Sequence, residues 1–127
     1  MSYPDSALDL LRSPGTAILS TTTPGGEIQS TALWYLLDDG ALKISLAGSR
    51  KKLRNLREHP GVTFFLLDPT NPFHFIEVRG TATVAPDPGY AFRDKVGAQY
   101  STDVSTFDQP GEERFIVTIE PTAINTQ

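Results

Sequence analysis

Hydrophobic positions in this chain recur with two periods. Over Ala41–Ala47 they alternate, with Leu42, Ile44 and Leu46 on one face and Lys43 and Ser45 on the other, the period of a half-buried strand. The same alternation, with β-branched and aromatic enrichment, predicts strands over 16–22, 28–37, 62–68, 73–85 and 114–123. Pro24-Gly25-Gly26 and Asp38-Asp39-Gly40 mark turns, the Asp-Gly pair favouring a type I′ hairpin. Gly80, inside the long fifth strand, predicts a bulge or a bend at a barrel corner. A helical period appears over 6–12, through Leu8, Leu10 and Leu11, with Ser6 at the cap and Pro14-Gly15 as the stop. It returns over 49–59, with Ser49 at the cap, Leu53 and Leu56 on one side and Pro60-Gly61 as the stop, and again over 88–100. Residues 68–72 and 101–111 read as polar loops, and the residues after 123 as a frayed tail.

Six antiparallel strands with short turns and a few short helices define a mainly β (α+β) chain, a closed barrel or a sandwich. No repeat or linker divides residues 1–127, so one domain is expected; the order of the strands is not readable from the pattern. The absence of cysteine excludes disulfides, zinc–thiolate sites and thiol nucleophiles. The two histidines have no carboxylate at ligand spacing, so no metal site is expected. The N-terminus carries no signal-peptide pattern and the longest apolar runs are strand-sized, which predicts a cytoplasmic chain with no membrane partner. A net charge of −4 argues against nucleic acid as a partner.

The positive charge is unevenly placed. Arg50, Lys51, Lys52, Arg54 and Arg57 supply five of the eleven Lys and Arg. Cations in the first turn of a helix oppose its dipole, whereas an anion bound at the same N-terminus would offset that cost through free backbone N–H groups. Two readings fit: a solvated basic face, or a phosphate-type site gripped by Arg and Lys.

The stretch Gly48-Ser-Arg-Lys-Lys-Leu-Arg-Asn-Leu-Arg-Glu-His-Pro60 resembles the strand-to-helix motif of the pyridoxamine-phosphate-oxidase-like split barrels, and within them the branch that binds the deazaflavin coenzyme F420. Gly26-Glu-Ile-Gln-Ser-Thr-Ala-Leu-Trp-Tyr35, Asp39-Gly-Ala-Leu-Lys-Ile-Ser45 and Phe75-Ile-Glu-Val-Arg-Gly-Thr-Ala82 resemble further family strands in the same order. The resemblance runs from about Leu8 to Ala85 and fades in the last third. It implies a six-stranded antiparallel split β-barrel of the FMN-binding type, with the cofactor in a groove between two subunits of a homodimer. By position it places Arg50, Lys52 and Asn55, with Lys51 nearby, on the cofactor's phosphate or acidic tail, and Ser45 in the same region. Thr31, Ala32 and Leu33 would line the ring, and Phe73 and Phe75 would approach from the other subunit. Leu46 departs from the pattern, because relatives often carry a second hydroxyl residue there.

Among the remaining polar residues, His59 suits a helix end, where a cation meets the dipole. His74, between Phe73 and Phe75, is the candidate proton donor to a substrate. Ser20-Thr-Thr-Thr23 is explained by strand propensity, since no motif supplies a base. Trp34 and Tyr35 are neighbours on a strand, so only one of them can face a cofactor. The expectation is an F420-dependent oxidoreductase passing a hydride between the deazaflavin and a small-molecule substrate. The alternatives are an FMN-binding oxidoreductase of the same fold and a non-catalytic F420 carrier.

Overall fold

The two ends of the sheet are its second and third strands, and only two residues join them. In this computed structural model, which describes all residues except Ser49, Gln109 and Pro110 and only the backbone of Arg50, Lys51 and Phe107, seven strands form one antiparallel sheet. They are β1 (Ala17–Thr22), β2 (Ile28–Leu33), β3 (Leu36–Asp38), β4 (Ala41–Ala47), β5 (Gly61–Asp68), β6 (Asn71–Pro86) and β7 (Arg114–Thr126), in the order β2-β1-β5-β6-β7-β4-β3. Trp34 and Tyr35 bridge the two edges, and two residues reach only about 10 Å. The sheet must therefore curl on itself, leaving a seam between β2 and β3: a split half-barrel.

The seventh strand is a correction to the six expected. The segment 28–37 breaks at Tyr35, whose N–H donates to the Tyr100 hydroxyl (3.2 Å) rather than to a neighbouring strand. The Tyr35 ring is buried, and its hydroxyl donates to Ser13 O at 2.8 Å. One aromatic anchor thus turns the chain from one edge of the sheet to the other, and burial pushes its phenol pKa far up.

Among the described residues, three helices flank the sheet: α1 (Asp5–Arg12), α2 (Arg50–Glu58) and α3 (Ala91–Gln99). Leu10, Leu11, Leu53 and Leu56 turn their helices onto the core, which is filled by Leu19, Leu42, Ile44, Phe64, Ile76, Val78, Val117 and Ile119 from the inner faces of the strands. Pro4, not Ser6, precedes α1, and its carbonyl accepts from Ala7 and Leu8 N–H. Ser49, the expected cap of α2, lies outside the described residues. The helix expected over 88–100 begins as a 3-10 turn, and α3 starts only at Ala91, because Gly89 and Tyr90 both take positive φ. Asp87, buried, caps α3 by accepting from Phe92 and Arg93 N–H at 2.9 Å.

The hairpin turn at Asp39-Gly40 has positive φ at both positions, as a type I′ turn requires. The loop expected over 68–72 is shorter, since β6 begins at Asn71. The expected frayed tail is instead strand. β7 runs to Thr126 and pairs Ile76 with Thr126, because sixteen-residue β6 offers a ladder long enough for it. The register shifts at Arg79/Gly80, where Pro121, lacking an N–H, faces Gly80. Within 101–111, Val104–Phe107 forms a 3-10 turn that buries Val104 against α3.

Candidate functional site

Where β4 hands over to α2, the inner face of the barrel opens into a cavity of about 130 Å³. Thr21, Gln29, Thr31 and Leu33 form its wall from β1 and β2, Ser45 and Leu46 its wall from β4, and Lys52, Asn55 and Leu56 its wall from α2. The register explains the first wall: Leu19 pairs with Thr31 and Thr21 with Gln29, so alternate side chains of both strands point inward together. The first turn of α2 contains no acidic residue. The Ser45 hydroxyl is buried and has no hydrogen-bond partner among the described residues. A buried hydroxyl without a partner costs about 1–3 kcal/mol, which a bound acceptor would relieve. The donors present are a hydroxyl, an amide and an ammonium, a set that fits a phosphate or carboxylate.

Five of the residues expected at the site meet here: Thr31, Leu33, Ser45, Lys52 and Asn55. Ala32 pairs with Ile18 on the opposite face of the sheet, so its side chain points away. The side chains of Arg50 and Lys51 lie outside the described residues. Phe73 is exposed and Phe75 stacks on Phe65 (5.5 Å between centroids) on the outer face of β5–β6, and neither lines the cavity. Thr21, Thr22, Thr23 and Gln29 line it although the sequence reading assigned 20–23 to strand propensity alone. The available signal was the turn at 24–26, which forces the ends of β1 and β2 into one cross-strand face.

A second cavity, of about 290 Å³, lies on the other side of Ser45 and Leu33, lined also by Trp34, Arg93, Val96, Val104 and Arg114. Trp34 thus faces a cavity while Tyr35 is core. Trp34 stacks on Tyr100 with ring centroids 4.3 Å apart and planes 5° from parallel.

His74 lines neither cavity. Its Nδ1 bonds Asp68 Oδ2 at 2.9 Å and its Nε2 bonds Ser6 O at 3.3 Å. Both partners accept, so the geometry suits an imidazolium donating from both nitrogens. The Asp68 hydrogen bond raises the His74 pKa above 6.5, and the bonds from His74 and Thr70 lower that of Asp68 to about 2. The histidine's contribution to stability is complete below 6.5 and is lost as pH rises through its raised folded value. The aspartate's is complete above 3.8 and is lost as pH falls towards 2. Asp68→Asn should therefore lower the melting temperature most between pH 3.8 and 6.5, with the gap to wild type narrowing as pH rises through the raised His74 value. A gap independent of pH in thermal melts would contradict this pairing.

Fold and site together define a split barrel with a donor-lined cavity at its strand-to-helix corner. The chain matches the pyridoxamine 5'-phosphate oxidase family over residues 3–127 and belongs to it. A solved structure named an F420 reductase superposes with a TM-score of 0.86 at 32% identity, covering 98% of this chain and all of that one. The conserved hypothetical protein Rv2991 of Mycobacterium tuberculosis gives 0.78 at 26% identity, covering 99% of this chain and 85% of that one. A putative pyridoxamine 5'-phosphate oxidase of Listeria innocua shares the fold, with 0.72 at 18% identity over 96% and 95%. No curated protein matches the chain.

Proposed function

We propose that this protein is an F420-dependent oxidoreductase. The observation that carries the reading is the convergence of Ser45, Lys52, Asn55 and the acid-free start of α2 on one cavity. Lys52 and Asn55 would hold the cofactor's phosphate, with Arg50 and Lys51 expected beside them, and Ser45 would donate to the same group. Thr31 and Leu33 would border the ring, with Ala32 contributing backbone. Bound deazaflavin supplies a two-electron hydride transfer, for which the protein needs no nucleophile. The chain's part is to fix a flat substrate at roughly 3–3.5 Å from the ring and to exclude water. Membership of the family and the likeness to an F420 reductase support a flavin or deazaflavin without choosing between them. The density of cations favours F420, which carries a polyglutamate tail beyond its phosphate; FMN is the second reading, supported by the family's FMN-binding type. The test is turnover. Reduced F420 mixed with the protein and a panel of small unsaturated acceptors should lose electrons to at least one of them, followed by deazaflavin absorbance. Binding without turnover of any acceptor would favour the carrier reading.

We also propose a homodimer, on the same geometry. A cavity of about 130 Å³ holds a phosphate but not a tricyclic ring, since pockets that bury drug-sized ligands run to about 300–1,000 Å³. The ring would therefore lie along β2, an edge strand exposed along most of its length, and needs a second wall. Ile18, Leu67 and Phe73 are exposed on the outer face, beside the Phe65–Phe75 stack. A second copy covering that face would carry its Phe73 and Phe75 to the groove. Sedimentation at micromolar concentration should give twice the 13.9 kDa of one chain, and a monomer mass would contradict the assembly.

A further inference from the structure

The second cavity has no role in the reading above, and its lining has a chemistry of its own. Among the described residues, its charged lining residues are both cations, Arg93 and Arg114, with side chains only 11% and 13% exposed. Asp108, which links them, is not among the lining residues. It accepts from Arg93 Nη1 at 2.5 Å and from Arg114 Nε at 2.9 Å, fixing both guanidiniums in place. Arg93 uses its other two nitrogens on Asp94, whereas Arg114 uses Nε and Nη2 on Asp108 alone. Arg114 is therefore the guanidinium with a nitrogen still available among the described residues. The unpartnered, buried Ser45 hydroxyl borders the same space. The rest of the wall, among the described residues, is apolar: Leu33, Trp34, Val96 and Val104. The α3 side of that wall is closely packed, because a Cβ on Gly97 would lie 2.6 Å from Thr102 O and 3.0 Å from Val104 Cγ2.

An apolar chamber with two fixed cations and an unmet hydroxyl donor at one side fits an amphiphilic anion. We infer that this cavity binds a small, largely apolar organic acid, its carboxylate meeting Arg114 and, while no cofactor occupies the neighbouring cavity, Ser45, and its body lying against Leu33, Trp34, Val96 and Val104. A volume of about 290 Å³ limits it to a compact molecule. The two cavities share Leu33 and Ser45, so the acid would sit directly beside the cofactor. That the acid is the hydride acceptor rests on the oxidoreductase reading; that it binds here does not.

Calorimetry on the full chain without cofactor tests this, with trans-cinnamate and its neutral isostere trans-cinnamamide as probes. The acid should bind at least about tenfold more tightly, since charge-assisted hydrogen bonds are roughly twice as strong as neutral ones. The preference should fall below about threefold in Arg114→Gln and persist in Lys52→Ala, which separates this site from the basic end of α2. Equal affinities in the wild type, no binding of either probe, a preference that survives Arg114→Gln, or one lost in Lys52→Ala would each overturn the assignment. Should Arg114→Gln fail to fold, Ser45→Ala decides: cinnamate should weaken about fivefold or more, and an unchanged affinity overturns the proposal. A parallel F420 titration keeps the two readings apart, because cinnamate behaving as expected with no F420 binding would sink the cofactor reading alone.

Discussion

Lys52→Ala is expected to weaken F420 binding ten- to a hundredfold while leaving the fold intact. Lys52 is exposed on α2 and reaches the cavity that also holds Asn55 and Ser45. A charge-assisted contact to a phosphate is worth roughly 1.5–3 kcal/mol, and each 1.4 kcal/mol is tenfold in affinity. Arg50→Ala should act similarly if its side chain joins Lys52 on the anion. Arg57 is the internal control. It borders a different hollow, with Glu58, Glu113 and Phe115, so Arg57→Ala should stay within about 0.5 kcal/mol. A basic surface that only faces water would give three small, equal effects. Titrations on the three variants separate these outcomes once their melting temperatures are matched.

Gly80→Ala should be among the most damaging single substitutions in the chain. A Cβ at Gly80 would lie 2.2 Å from Glu120 O, 2.9 Å from Glu120 C and 3.1 Å from Pro121 Cα. All three are backbone atoms of β7, so no side chain can swing aside. Relief requires moving the bulge that lets β6 and β7 stay paired on both sides of Arg79/Gly80. Overpacking of this kind costs about 3 kcal/mol or more, which at this chain length lowers the melting temperature by about 10 °C. Gly61→Ala is the comparison: a Cβ there meets nothing within 4 Å, and the change should stay below about 1 kcal/mol. Equal melting temperatures for the two variants would contradict the close approach of β6 to β7.

What the sequence disclosed and what it withheld follow from the range of the forces involved. The alternation over 41–47, the Asp39-Gly40 hairpin and the Gly80 bulge are local patterns, and each appears in the structure where the residues put it. The break at Tyr35 was not legible, because it depends on Ser13 and Tyr100, the latter 65 positions away. The tail after 123 was misread for a related reason: Asn125 carries a weak strand signal, and only pairing with β6 carries β7 on to Thr126. At the site, the contribution of β4 and α2 was legible because Ser45, Lys52 and Asn55 lie within one strand-to-helix connection. Arg93, Asp108 and Arg114 come together only through tertiary packing, so the second cavity left no signature in the sequence.

The central claim is that the donor-lined cavity serves F420 in preference to FMN. Equilibrium titration of the purified protein with each cofactor, at low and high ionic strength, tests it most directly. The account predicts tighter binding of F420, with an advantage that shrinks as salt screens the basic end of α2. Affinities that are equal, or reversed in favour of FMN, at low salt would contradict it.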